Sequence, residues 1–306
     1  MAVGPSATVT VAGLQTPAAP DSAGAAWRRL GRLKWGVGGA AVFLVVVLSA
    51  VLAPVISPHD PLSVDIRHRM VPPAWMDGGT REHILGTDQI GRDLLSRVIW
   101  GGRVSLVVGM TAVLLSATIG VLFGLAAGYF AGRVDWSIMT LINVMLTFPF
   151  VLLALAVIAV LGPSVPNMIT VLGVTGWPVY ARVIRAETFA LREREFVVAA
   201  RALGMSHLRI IFGQILPNLV SPIVVVATLQ IAQVIILESF LSFLGLGVQP
   251  PTPSWGGMVS EGRDYVGSAW WLSAIPGLAI VVTVLGANLF GDALRRSLDP
   301  RLRGVG

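Results

Sequence analysis

The 306-residue chain contains no cysteine, so it can form no disulfide, thiol nucleophile or zinc–thiolate site. It contains a single lysine, Lys34, which is followed by a tryptophan. The phosphate-binding loop of NTPases needs Gly-Lys-Ser/Thr, so this chain has no such loop. It also lacks a Gly-x-Ser-x-Gly nucleophile motif. We therefore expect no catalytic residue and no cofactor in this chain, and any ATP hydrolysis would come from a different chain.

Charged residues are scarce as well, at 12% of the chain, whereas hydrophobic residues make up 55%. Several apolar runs of about twenty residues are long enough to cross a bilayer as helices, which is typical of an integral membrane protein. A net charge of +6 would favour nucleic acid as a partner of a soluble protein. Here the arginines flank apolar runs and form no basic and aromatic face, so we expect membrane lipid and no nucleic acid.

Hydropathy predicts an all-α integral membrane protein with six transmembrane helices. The first covers residues 35–56, and the other five lie in a core domain, residues 106–294. These five cover residues 106–130, 138–161, 168–184, 219–244 and 271–290. The N-terminal tail, residues 1–34, is mostly rich in Ala, Pro, Ser and Thr and is expected to be largely disordered.

The distribution of positive charge predicts the orientation in the membrane. Six spans place both tails, residues 1–34 and 295–306, on the same side. Fifteen of the 22 Lys and Arg residues lie on that side and seven on the other. Because cytoplasmic segments carry the excess of positive charge, both tails are predicted to be cytoplasmic and residues 57–105 to be extracytoplasmic.

The stretch EFVVAARALGMSHLRIIFGQILPN (195–218) is arginine-bearing and lies between two apolar runs on the predicted cytoplasmic side. Its first nine residues have a helical pattern. One face of this helix carries Phe196, Ala199, Ala200 and Leu203. Gly204 is placed to end the helix, Ser206 could cap the next one, and Pro217 fits the first turn of the following span because its missing N–H costs nothing there.

A short helix with a two-alanine footprint, held between two membrane helices, fits a groove on another protein. The alternative is an amphipathic helix that lies on the membrane surface, but such a helix usually carries bulkier apolar residues. The sequence therefore favours protein docking.

At these residues the chain resembles the inner-membrane permease subunits of bacterial ABC importers. Their cytoplasmic loop follows the pattern Glu-Ala-Ala, three residues, Gly, nine residues, Ile-x-Leu-Pro. The matching positions here are Ala199, Ala200, Gly204, Leu216 and Pro217. Val198 replaces the glutamate of the pattern, and Gln214 replaces its isoleucine.

Three longer segments are similar to the C-type subunit of the dipeptide/oligopeptide/nickel permease family. They are LGTDQIGRDLLSRVIWGGRVSL (85–106), REREFVVAARALG (192–204) and ESFLSFLGLGVQPPTPSWGGM (238–258). The resemblance implies the type I ABC importer permease fold and half of a translocation pathway for di- or oligopeptides in the bacterial inner membrane. Import of nickel or another small solute by the same family is the alternative.

The resemblance also implies partners. These are a homologous second permease subunit, two ATP-binding subunits that bind ATP and Mg²⁺, and an extracytoplasmic substrate-binding protein. Residues 187–216, here named the coupling loop, would dock on an ATP-binding subunit. The residues expected to carry this coupling are Phe196, Ala199, Ala200, Leu203, Gly204, Met205, His207 and Pro217.

Polar residues inside the predicted spans are candidates for lining the translocation pathway, because polar groups in hydrocarbon need water or protein partners. Glu238 is the one acidic residue well inside a predicted span, and it could be either a structural hydrogen-bond anchor or a pathway residue. The other candidates are Asn143, Thr147, Gln230 and Gln233.

An ion-coupled secondary transporter is a more distant alternative, because Trp177-Pro178 would interrupt the fourth span as broken helices do. Such a carrier would need acidic groups near the membrane midplane and an inverted repeat. The sequence has neither.

The histidines, Trp255 and a glycine repeat also lead to predictions about metal binding and packing. His59, His68 and His83 are spaced by nine and fifteen residues, which matches no helical or zinc-finger ligand pattern, so we expect surface histidines and no metal site. Trp255 is expected to anchor the Pro-rich turn at the membrane interface. A run of glycines every four residues should allow close helix approach, either within this chain or from a partner subunit. These glycines are Gly120, Gly124 and Gly128.

Overall fold

The computed structural model describes residues 22–298, with side chains for residues 36–297. The regular elements in this range are helices, apart from one isolated bridge between Thr87 and Asp93. The prediction of an all-α protein is confirmed. The remaining parts of the two predicted tails, residues 1–21 and 299–306, lie outside the described residues.

Long helices dominate the architecture. They are α1 (Ser22–Val51), α3 (Leu94–Phe130), α6 (Val165–Leu191), α9 (Leu216–Phe243) and α11 (Trp271–Leu298). The shorter helices are α2 (Ala53–Ile56), α4 (Gly132–Thr147), α5 (Phe150–Leu161), α7 (Glu195–Ala202), α8 (His207–Ile210) and α10 (Trp255–Gly262). Helices α3, α5, α6 and α9 share the largest hydrophobic core, while α1 packs on α11 and α3.

Three of the described helices are long and apolar enough to cross a membrane. They are Leu94–Phe130, the continuous run His207–Phe243 and Trp271–Ser297. A fourth crossing is possible if α4 and α5 are counted together, although these two helices meet at 85°. By length and composition, the described part of the chain therefore gives three spans, or four with the bent pair.

The bend between α4 and α5 corrects the expectation of one straight span over residues 138–161. Phe148 adopts an extended conformation (φ −82°, ψ 128°) and Pro149 precedes α5. Proline disfavours the helical conformation of the residue before it and cannot donate to the preceding turn, so the helix stops there.

Helices α1 and α3 begin earlier than hydropathy predicts. Helix α1 starts at Ser22, inside the predicted N-terminal tail, consistent with the alanines, leucines and arginines of residues 22–34. Helix α3 starts at Leu94, inside the predicted extracytoplasmic segment 57–105, because the Asp93 carboxylate caps it by accepting from the Ser96 amide at 2.8 Å. A helix of 37 residues is about 55 Å long and exceeds the ~30 Å hydrocarbon core.

Close contact between α3 and α6 explains the four-residue glycine spacing. A Cβ added at Gly120, Gly124 or Gly128 would come within 2.5–2.8 Å of atoms of α6. The glycines therefore allow packing within this chain. Helix α6 also continues through Pro178, so the expected interruption at Trp177-Pro178 is wrong, and it lends no support to a secondary transporter.

Candidate functional site

Helix α7 of the coupling loop is held against its own chain by two small apolar residues. Val197 is fully buried and Ala200 is 7% exposed. Both belong to a hydrophobic cluster with Tyr129 at the end of α3, Ile184 of α6 and Ile210 of α8. The cluster fixes the orientation of α7 relative to the long helices.

The opposite side of α7 is exposed. Leu203 is 84% exposed, Val198 48% and Phe196 41%. Ala199 is exposed as well, whereas Ala200 faces inward, which corrects the expected face of Phe196, Ala199, Ala200 and Leu203. Val197 to Ala200 are four consecutive apolar residues, which together point to all sides of a helix. Hydropathy therefore could not show which of them faces the protein interior.

The turn after α7 is confirmed at Gly204. The amide of Met205 donates to the Ala200 carbonyl at 3.1 Å and the amide of Gly204 donates to the Arg201 carbonyl at 3.0 Å. Gly204 has φ +76°, a left-handed conformation that glycine adopts without a Cβ penalty. This pattern is the Schellman end of a helix, and Met205 then packs on the buried cluster.

Beyond the turn, the chain enters a single helix that leads into the membrane region. Helix α8 begins after Ser206, whose side chain makes no capping hydrogen bond within the described residues, so that expected cap is wrong. A π-helical turn, Ile211–Ile215, joins α8 to α9. Pro217 lies in the first turn of α9 as predicted. Because His207–Phe243 is continuous, α7 is connected to a rigid element and not to a flexible linker.

Contacts with Tyr129 tie the coupling loop to the end of α3. The Tyr129 hydroxyl lies 2.9 Å from Nδ1 of His207, and the Arg201 guanidinium carbon lies 5.8 Å from the centre of the Tyr129 ring. Arg192 donates to the Tyr129 carbonyl at 3.4 Å. Tyr129 of α3 thus contacts the coupling loop before α7, within α7 and at the start of α8.

The candidate pathway residues occupy different environments. Asn143 and Thr147 are exposed on α4, where the Asn143 side-chain oxygen accepts from Arg182 at 3.1 Å. Gln233 is exposed on α9, and Gln230 is half-buried and points toward Gly176 of α6. No hydrogen bond or ion pair joins these four residues to one another.

Glu238 is fully buried, unlike the other pathway candidates. Ser242 Oγ donates to its Oε1 at 2.8 Å and Ser239 Oγ to its Oε2 at 3.3 Å. Of the two roles left open by the sequence, this environment fits a structural hydrogen-bond anchor, because a residue that lines a pathway needs an exposed face.

A buried charge network before and within α3 escaped the sequence analysis. Arg92 donates to Asp88 at 2.6 Å and to Glu261 of α10 at 2.9 Å. Arg97 also donates to Asp88, and it donates to Glu261 at 3.0 and 3.2 Å. Asp88, Arg92 and Arg97 are each at most 5% exposed. The signal was the pair Asp88 and Arg92, four residues apart just before an apolar helix.

Two further expectations about the segments around this network are wrong. Trp255 is 3% exposed, and its indole N–H donates to the Val98 carbonyl at 2.8 Å, so it packs on α3 and not at the lipid interface. Gly102 leaves the space that the indole fills. His83 is also buried, at 8% exposure, and its Nδ1 donates to Asp93 at 2.9 Å. His68 is exposed as expected.

Comparison with known proteins identifies relatives along nearly the whole chain. Residues 120–304 match the family described as binding-protein-dependent transport system inner membrane component. Residues 23–73 match the N-terminal TM domain of oligopeptide transport permease C.

Individual relatives are similar over most of their length. The di/tripeptide transport system permease protein DppC of Pseudomonas aeruginosa (strain UCBPP-PA14) is 42% identical over 279 residues, which cover 91% of this chain and 92% of that protein. The dipeptide transport system permease protein DppC of Escherichia coli (strain K12) is 43% identical over 277 residues, which cover 90% and 92%.

Among solved structures, an inward-facing conformation of the MetNI methionine ABC transporter is similar, with a TM-score of 0.53 and 18% identity. The match covers 66% of this chain and 96% of that one. This likeness shows a shared fold.

Proposed function

The chain belongs to the family of binding-protein-dependent transport system inner membrane components, and from this premise we propose that it is the C-type permease subunit of an ATP-driven importer of di- and oligopeptides. The similarity over about nine-tenths of the chain to permeases named for dipeptides and tripeptides carries this proposal. The family is one of transport subunits and not of enzymes. The resemblance inferred from the three sequence segments is thereby confirmed.

In the proposed membrane arrangement, α1 and α6 cross the bilayer in addition to the three long apolar helices and the bent pair. This gives six spans with both tails in the cytoplasm. The charge distribution supports it, since fifteen of the 22 Lys and Arg residues then lie in the cytoplasm. Helix α6 is 27 residues, or about 40 Å, long enough to span.

The proposed complex contains a second permease subunit, two ATP-binding subunits that bind ATP and Mg²⁺, and an extracytoplasmic binding protein. The absence of a phosphate-binding loop supports this division of labour, because this chain lacks the Gly-Lys-Ser/Thr that binds ATP phosphates in NTPases. We expect the purified chain alone neither to bind nor to hydrolyse ATP.

The coupling loop is proposed to dock on an ATP-binding subunit through the exposed side of α7. Leu203, at 84% exposure, would be the central contact, with Phe196 and Ala199 beside it. Ala200 and Met205 would act indirectly, because they hold α7 on the buried cluster. Movement of an ATP-binding subunit would then displace α7 and, through Gly204, His207 and the continuous helix to Phe243, the membrane region.

The exposure of their side chains separates the candidate pathway residues. Asn143 and Thr147 of α4 and Gln233 of α9 present exposed polar groups and are proposed to face the pathway, together with the half-buried Gln230. Glu238 is proposed to stabilise the end of α9 and not to contact substrate.

Reconstitution of the full complex with its binding protein tests the function. Di- and oligopeptides should stimulate ATP hydrolysis and accumulate in the vesicles, whereas nickel should do neither. Stimulation and uptake with nickel but not with peptides would establish the alternative substrate and refute this proposal.

A matched pair of variants tests the docking surface. Leu203→Asp places a charge in a contact that must lose water, so the ATP-binding subunits should co-purify less and coupled hydrolysis should fall. The control is Val64→Asp, an exposed apolar position (52%) on the opposite side of the proposed membrane arrangement, which should leave both unchanged. Equal effects of the two variants would contradict docking through α7.

A further inference from the structure

Two histidines and an aspartate that are distant in sequence gather beside the start of α3. His59 follows α2, His83 lies in the segment before α3, and Asp93 caps α3. A ring nitrogen of each histidine and a carboxylate oxygen of Asp93 lie within 4.8 Å of one another. The centres of the His59 and His83 rings are 4.9 Å apart. We propose that His59, His83 and Asp93 bind a single divalent transition-metal ion of the zinc type, with water as the remaining ligand.

The chemistry of the three groups suits such an ion. Imidazole nitrogen and carboxylate oxygen bind Zn²⁺ at about 2.0–2.2 Å in tetrahedral sites, which places ligand atoms roughly 3.3–3.6 Å apart. His83 Nδ1 lies 2.9 Å from Asp93 Oδ1, and His59 Nδ1 lies 3.7 Å from Asp93 Oδ2. These two contacts are close to ligand spacing, whereas the three ligand atoms together lie within 4.8 Å of one another and would have to draw closer by up to about 1 Å on binding. Imidazole favours transition metals over Ca²⁺ and Mg²⁺, which prefer oxygen ligands.

The hydrogen bonding of the proposed ligand atoms also favours a metal site. Nδ1 of His59 is buried and has no hydrogen-bond partner among the described residues, which is unfavourable for a polar nitrogen unless it binds something else. Asp93 Oδ2 accepts from the Ser96 amide at 2.8 Å and the Ser96 hydroxyl at 2.7 Å, so the carboxylate is held in place. Its Oδ1 accepts a hydrogen bond from His83 Nδ1. On metal binding, His83 would lose this proton and both atoms would contact the ion instead.

The surroundings favour a cation. The cluster borders a cavity of about 120 Å³ whose lining contains no Lys or Arg. The acidic and histidine residues that line it are His59, His83, Asp60, Asp65, Glu82 and Asp93. Carboxylates on several sides of a small cavity lower the electrostatic potential there and attract positive ions.

Metal binding would connect three parts of the chain. It would join the residue that follows the first membrane helix, His59, to the segment before α3 and to the α3 N-terminus at Asp93. Since the histidines lie far apart in sequence, a bound ion would restrain this segment in the way a disulfide does in other proteins, and this chain has no cysteine for that purpose.

Metal titration of the purified full-length chain in its complex tests the proposal. Co²⁺ serves as a spectroscopic probe, because tetrahedral coordination by nitrogen and oxygen gives visible absorption, and Zn²⁺ should displace it. The expected result is a single tight ion per chain and a Zn²⁺-dependent rise in thermal stability. In the absence of nucleotide, Ca²⁺ and Mg²⁺ should give neither signal.

The variant His59→Gln is the decisive one, because the His59 side chain makes no hydrogen bond in the described structure and its loss should leave the fold intact. We expect the affinity for Co²⁺ to fall at least about tenfold, by analogy with the loss of groups that support metal ligands. His83→Gln should have a similar effect on binding.

The matched control is His68→Gln, an exposed histidine of the same segment whose Nδ1 donates to Asp65 at 2.7 Å. This hydrogen bond lowers the pKa of the Asp65 carboxyl, and His68 lies outside the proposed ligand set. Metal binding should be unchanged. Absence of a tight ion in the wild-type protein, or affinity that is the same in His59→Gln, would refute the site.

Discussion

The hydroxyl of Tyr129 and Nδ1 of His207 lie 2.9 Å apart and join the last turn of α3 to the first residue of the helix that continues into α9. The two residues are 78 positions apart in the sequence. We therefore expect a displacement of the coupling loop to act on α3 and α9 together.

Removal of this hydrogen bond should be measurable. Tyr129→Phe is expected to reduce the free energy of unfolding by about 1 kcal/mol, and coupled ATP hydrolysis with it, because His207 loses a part-buried partner. The measurement is thermal unfolding together with peptide-stimulated ATPase activity.

The control is Tyr180→Phe. The Tyr180 hydroxyl is buried without a hydrogen-bond partner among the described residues, so its removal should be neutral or stabilising. A loss of stability in Tyr180→Phe equal to that in Tyr129→Phe would contradict the assigned bond.

The turn at Gly204 gives a second prediction. Gly204→Ala adds a Cβ at φ +76° and should destabilise the end of α7 by about 1 kcal/mol, although no atom lies within 4 Å of the new carbon. Gly213→Ala is matched, because it also meets no atom within 4 Å but lies in a helical segment without a positive φ. Gly213→Ala should be neutral or stabilising. Similar losses of coupled ATPase activity in both variants would mean that the turn conformation is not the cause.

At the same turn, Gly204→Asp should impair coupling more than Val198→Glu. An aspartate there meets the negative end of the α7 dipole in addition to the strained φ, whereas Val198→Glu restores the glutamate of the family pattern. Coupled hydrolysis at matched membrane abundance decides between them, and a larger loss in Val198→Glu would show that the turn at Gly204 matters less for coupling than the exposed position 198.

The buried charge network gives a further prediction. Arg97→Met leaves Asp88 and Glu261 with Arg92 as their remaining arginine partner and should destabilise the protein by about 3–5 kcal/mol, since uncompensated buried charge is costly. Arg263→Ala removes an exposed pair with Asp264 at 3.3 Å and should cause no measurable change. Unfolding by denaturant compares the two, and an Arg97→Met protein of wild-type stability would show that the network is dispensable.

Topology is tested by single cysteines, which report without background because the chain has none. A cysteine at exposed Ser206 should react with a membrane-impermeant reagent from the cytoplasm, and one at exposed Ser268 from the other side. A cysteine at Ser254, in the same proposed extracytoplasmic segment as Ser268, would not be labelled, because Ser254 is 2% exposed and caps α10. Reaction of the Ser206 cysteine from outside would invert the proposed orientation.

The sequence by itself determined the class of molecule. Apolar runs, the missing phosphate-binding loop and the spaced Ala-Ala, Gly and Leu-Pro of the coupling loop identified a membrane transport subunit, and Gly204 was placed correctly as the end of α7. These features are local, because hydropathy, backbone preference and motif spacing depend on neighbours in the chain.

The tertiary structure alone decided which side of α7 is buried, which glycines face which helix, and where polar side chains meet. Val197 and Val198 have the same hydropathy, and Val197 is buried because it packs in a cluster that includes Tyr129 of α3 and Ile210 of α8. His59, His83 and Asp93 likewise come together because α2, the following segment and α3 fold back on one another. Contacts between residues far apart in sequence depend on how whole helices pack, and single-residue patterns do not encode that relation.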